Sequence, residues 1–71
     1  MMKKRYDVHR WVGGSSMRFT DQQEAFDLAK KVAGQDRYGE ALMEQLVWEG
    51  TEIISTHTVA VKADGSFRSI N

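Results

Sequence analysis

The chain has no cysteine and no proline among its 71 residues, and it has no net charge, since ten Lys and Arg balance ten Asp and Glu. Without cysteine there is no disulfide framework, no thiolate zinc site and no cysteine nucleophile. A chain this short must then fold on packing alone or with help from a partner subunit. No apolar run approaches the roughly 20 residues that span a bilayer. The opening Met1-Met2-Lys3-Lys4-Arg5 is charged and has no apolar stretch behind it, unlike a secretory signal. These features predict a cytoplasmic protein that does not enter a membrane. The length leaves room for one domain over residues 1–71, which excludes a multi-domain enzyme. With 41% hydrophobic and 28% charged residues, the composition is that of a globular chain rather than a disordered one.

The charge is balanced in sum but not along the chain. Residues 1–20 carry Lys3, Lys4, Arg5, Arg10 and Arg18 against Asp7 alone, whereas residues 21–52 carry eight acids against Lys30, Lys31 and Arg37. Such polarity serves either an electropositive docking surface or a basic strand lying beside acidic neighbours within the fold.

Hydrophobic periodicity gives the element order. Tyr6 to Val12 alternates as a strand, and a two-residue turn at Gly14-Ser15 would set Val12 opposite Met17, Trp11 opposite Arg18 and Arg10 opposite Phe19. Asp21 followed by Glu24 is a helix start of capping-box type. The stripe Ala25, Phe26, Leu28, Ala29, Val32, Ala33 predicts an amphipathic helix from Gln22 to Ala33, with Phe26, Leu28, Ala29 and Val32 on the sheet and Gly34 as a left-handed cap. From Glu40 to Glu49 good helix formers compete with β-branched and aromatic neighbours around Gly50-Thr51. A hairpin there pairs Trp48 with Ile53, Leu46 with Ser55, Glu44 with His57 and Leu42 with Val59. A three-residue turn at Ala63-Asp64-Gly65 would set Val61 opposite Phe67. The expected fold is α+β, an antiparallel sheet with one helix packed on one face, ββαβββ, with ββααββ as the alternative should residues 40–49 be helical.

Candidate chemistry is thin. His9 and His57 stand far apart with no cysteine near them, so no metal site is expected, and no cofactor. Glu44 opposite His57 has the form of a general-base pair but lacks a nucleophile, and a cross-strand polar pair explains it better. Gly13-Gly14-Ser15-Ser16 lacks the Gly-Lys-Ser/Thr ending of a phosphate loop. The chain is therefore not expected to be an enzyme. The aromatic residues say more. Strand alternation sets Trp11 on the polar side of the first strand with Arg5, Asp7 and His9, and with Arg18 across the hairpin; Trp rimmed by Arg is the composition of a binding hot spot. Arg5, His9, Trp11 and Arg18 are accordingly the candidate binding residues, set against the alternative of Trp11 in the core.

Two functions fit. One is a non-catalytic module that binds a protein partner. The other, less favoured in a net-neutral chain, is a nucleic-acid module with the N-terminal basic residues on phosphates and Trp11 or Tyr6 stacked on bases. With one helix for five strands, the second sheet face should be left partly uncovered, which suggests a homodimer. The run of a short basic strand, a turn, "FTDQQEAFDLAKKVAG" and strands ending in "VKADGSF" is similar in plan to small phage and mobile-element proteins, including some anti-CRISPR proteins that bind a host nucleoprotein complex. The resemblance implies an inhibitor of a host protein and assigns no residue to the task.

Overall fold

The computed structural model describes residues 2–70. In chain order these form β1 (Met2–His9), β2 (Met17–Phe19), α1 (Gln22–Gln35), β3 (Glu40–Glu49), β4 (Glu52–Lys62) and β5 (Phe67–Ser69). The fold is the expected ββαβββ. All five strands lie in one antiparallel sheet in the order β2-β1-β3-β4-β5.

Residues 40–49 are strand, not helix, because β3 is the centre of the sheet and is apolar on both sides. Ala41 and Met43 alternate with Leu42, and that double burial mimics a helical stripe when read along the sequence. The basic β1 lies directly beside β3, which carries Glu40, Glu44 and Glu49. Charge polarity along the chain thus becomes neighbouring charge across the sheet.

One face of the sheet meets α1. Tyr6, Val8, Ala41, Met43, Val59 and Val61 pack against Ala25, Ala29 and Ala33, while Phe19, Phe26, Leu28 and Val32 are partly buried around them. The ridge touching the sheet is therefore alanine, with the larger side chains expected there flanking it; small residues let helix and sheet approach closely. Asp21 caps the helix, its carboxylate accepting from the Gln23 N–H at 3.1 Å. The helix runs two residues past the expected end. Gly34 is helical rather than left-handed, and Asp36 is the C-cap.

Two registers differ from expectation. β1 pairs with β2 as Tyr6 with Phe19, Asp7 with Arg18 and Val8 with Met17, so the connection is the seven-residue loop 10–16 rather than a two-residue turn. The shift is by four residues and keeps the faces. The reason is burial: Tyr6 and Val8 reach the core, whereas the tighter register would have placed Arg10 against Phe19 on the helix side. In the β3–β4 hairpin, Trp48 opposes Ile53 as expected, but the register then shifts so that Val47 opposes Ser55. Ile54 is an extra residue, a β-bulge. Beyond it Gln45 opposes His57, Glu44 opposes Thr58 and Met43 opposes Val59. Glu44 and His57 consequently lie on opposite faces and form no pair. The last turn is as expected: Gly65 has φ +91°, Val61 opposes Phe67, and the Asp64 carboxylate accepts from Ser66 N at 2.8 Å and Ser66 Oγ at 2.6 Å.

Candidate binding site at the loop end

The second face of the sheet carries no helix, yet it is not a bare apolar surface. Leu42, Leu46 and Ala60 lie on it and are buried. They are buried although α1 lies on the far side. On the same face the Arg5 guanidinium lies over the Trp48 ring, 5.3 Å from its centroid, so that part of the helix-free face is covered by its own side chains.

Three of the four expected site residues share this face. Arg5 and Arg18 lie on either side of Asp7, each Nε 3.6 Å from Asp7 Oδ1. That distance is beyond a hydrogen bond, and among the described residues Arg5 Nε and Asp7 Oδ1 have no hydrogen-bond partner. His9 is the last residue of β1, opposite Leu42. Trp11 stands apart from the three: β1 ends at His9, and Trp11 belongs to the loop that follows. It is 42% exposed, not core.

Trp11 belongs instead to a cluster at the end of the sheet where the connections gather. Trp11 and Val12 from the loop 10–16 line one cleft of about 400 Å³ with Tyr38, Glu40 and Arg68. Val12 and Tyr38 are 71% and 58% exposed. The Trp11 indole lines the same cleft as the Glu40 carboxylate, which accepts two hydrogen bonds from Arg68, at 3.2 Å each. Such a fork is the geometry in which guanidinium and carboxylate bind best. Chiefly through the Arg68 hydrogen bonds, and against some desolvation, the Glu40 carboxyl is held below its ordinary value of 4.5.

Asp36 builds this end. Its carboxylate accepts from the Tyr38 N–H at 2.8 Å, its carbonyl accepts from the Gly39 N–H at 3.0 Å, and its side chain, 6% exposed, faces Arg10 Nε at 4.0 Å. One residue at the end of α1 therefore fixes both the Tyr38 turn and the start of the Trp11 loop. Gly39, at φ +71°, lets the chain turn straight into β3. Arg37 lies over the Tyr38 ring, 5.9 Å from its centroid. Tyr38 escaped notice in the sequence because it falls in a six-residue stretch with no periodicity; the signal available was Asp36 two residues ahead of it, an Asx-turn spacing.

A second cleft, about 600 Å³, lies between the start of α1 and the sheet, and includes Gln45 and His57 side by side. Its walls are Phe26, Met43, Val59 and Phe67, and Asp21 there is committed to capping. Among the described residues no group of three His, Cys, Asp or Glu could hold a metal ion, and no helix is long and apolar enough to cross a membrane. No family model matches the chain, and no curated protein or solved structure matches it either.

Proposed function

We propose that this chain is a non-catalytic binding module, and that it docks a protein partner through Trp11, Val12 and Tyr38 at the loop end. The observation that carries the reading is the convergence of these three exposed side chains, from two different loops, around the Glu40–Arg68 pair. Trp, Tyr and Arg are the residues that most often dominate binding energy, and loops braced by a rigid sheet are where such anchors stand. Arg5, His9 and Arg18 extend the contact along β1. The plan shared with small phage and mobile-element proteins makes a cytoplasmic host protein or nucleoprotein complex the first partner to test.

A second reading, single-stranded nucleic acid on the strand face, draws on Arg5 over Trp48 with Lys3 and Arg18 nearby. One set of experiments separates the two. Capture from the native host with the intact chain should recover a partner that is lost with Trp11→Ala, a change worth about 2 kcal/mol or more of affinity at a hot spot, while the thermal melt stays nearly unchanged. Retention of the partner by Trp11→Ala, or unfolding of that variant, overturns the protein-binding reading. Salt-dependent quenching of tryptophan fluorescence by single-stranded RNA would favour the second.

A further inference from the structure

We propose that the segment docked at the loop end is acidic, a short stretch of peptide in which carboxylates flank one apolar side chain. This rests on the reading of Trp11, Val12 and Tyr38 as the docking residues and names the chemistry of what they bind. Two clefts meet at that end of the molecule. The one of about 400 Å³ holds Trp11 and Arg68, a neighbouring one of about 330 Å³ holds Arg10 and Arg37, and Val12 and Tyr38 belong to both. These two exposed side chains therefore form a ridge, with Arg68 on one side of it and Arg10 and Arg37 on the other.

The charges around the ridge are layered, acids beneath and arginines above. The Asp36 side chain is 6% exposed beside Arg10 at 47%, and that of Glu40 is 15% exposed beside Arg68 at 57%. Both carboxylates are already engaged, Asp36 by the Tyr38 N–H and Glu40 by the Arg68 fork. The Arg10 Nε stands 4.0 Å from Asp36, beyond a hydrogen bond. Arg37 lies over the Tyr38 ring and among the described residues forms no ion pair. A partner arriving here meets an apolar ridge rimmed by guanidinium groups. A guanidinium offers only donors, in a planar fork that fits a carboxylate.

Charge and shape select a peptide over a nucleic acid. Three arginines above two carboxylates leave the site a net charge of only +1, whereas a phosphate backbone is held by neutralising many charges at once. Val12, at the crest of the ridge, has no ring on which a base could stack, but it can pack against an aliphatic or aromatic side chain. An apolar residue seated beside Trp11 leaves its acidic neighbours within reach of the arginines on either side of the ridge. The apolar anchor then supplies most of the affinity, and the arginine rim supplies speed of encounter and choice of partner.

The test is selection from a random-peptide display library on the full chain, followed by titration of the selected sequences as synthetic peptides. The expected sequences carry Asp or Glu around one apolar residue, and their binding weakens as salt is raised. Arg37→Glu should lower their affinity about tenfold or more by setting like charges together. Having no ion pair to lose, that variant should keep the far-UV spectrum of the parent; if it does not, Arg37→Gln reads the same effect at smaller size. Lys4→Glu makes the same change of charge at the far end of β1 and should bind as the parent does. A peptide with lysine in place of each acid should prefer Arg37→Glu to the parent chain. Peptides that need Trp11 but show no excess of acid, or that bind Arg37→Glu as well as the parent, overturn the acidic partner and leave the loop end as a docking site. Peptides indifferent to Trp11→Ala as well overturn both readings. A library that yields no binder, or single-stranded oligothymidylate held by the same arginines with a steep salt dependence, overturns the proposal.

Discussion

Glu40 shows how one side chain can hold a surface together without being deeply buried. It stands at the start of β3, accepts both hydrogen bonds of Arg68 from β5 and lines one cleft with Trp11 from the loop after β1, and so brings three separate segments together at one carboxylate. Its pKa lies below the ordinary 4.5 because those hydrogen bonds favour the ionised form. A carboxyl lowered in this way stabilises the folded state above its unfolded value, and that contribution is lost as the pH falls through the folded value. Arg68→Ala removes the largest cause, so Glu40 should titrate closer to 4.5 in a carboxyl NMR titration. An unchanged Glu40 titration in that variant would show that Arg68 does not hold it.

At the scale of the element, α1 depends on the smallness of the residues beneath it. Ala25, Ala29 and Ala33 are essentially without exposure, so the helix backbone lies close to the sheet and there is no room for a larger side chain in the middle of the ridge. Ala29→Leu should cost about 1–3 kcal/mol by overpacking, read from denaturant melts. A loss below about 0.5 kcal/mol would mean that the helix shifts outward freely. The helix and the element order were legible in the sequence because a 3.6-residue stripe and an N-cap Asp are local signals. Tertiary choices were not. Whether Arg10 continues a strand or turns away to face Asp36 depends on which residues reach the core, and Trp11 follows wherever Arg10 goes. The candidate site was therefore half legible: Trp11 was singled out for its type, while Val12, Tyr38 and Glu40 became its neighbours only when two loops met.

For the molecule as a whole, the lengths do not match. β4 has 11 residues and would span ~36 Å, whereas the 14 residues of α1 span ~21 Å, within overall extents of 38 × 22 × 21 Å. The core sits under the helix, toward the loop end, and the β3–β4 tip extends past it. Hydrogen exchange at low micromolar concentration should therefore be slowest at Val8, Met43 and Val61 and much faster from Trp48 to Ile53. Tip amides as slow as the core under those conditions would mean that the molecule unfolds as a single unit with no weaker end.

The extra residue at Ile54 joins two phases of one alternation. On the turn side of it, Trp48 and Ile53 share the face that bears no helix; on the other side, Val59 and Val61 point beneath α1. Removing that single residue would put the two halves of the hairpin in conflict. Either the valines would leave the core or Ile53 would part from Trp48, since a step of one exchanges every side chain between faces. Substitution at this position alters only a surface, whereas deletion changes which residues make up the interior. The tip can in this way diverge in sequence under its own selection, provided its length is kept.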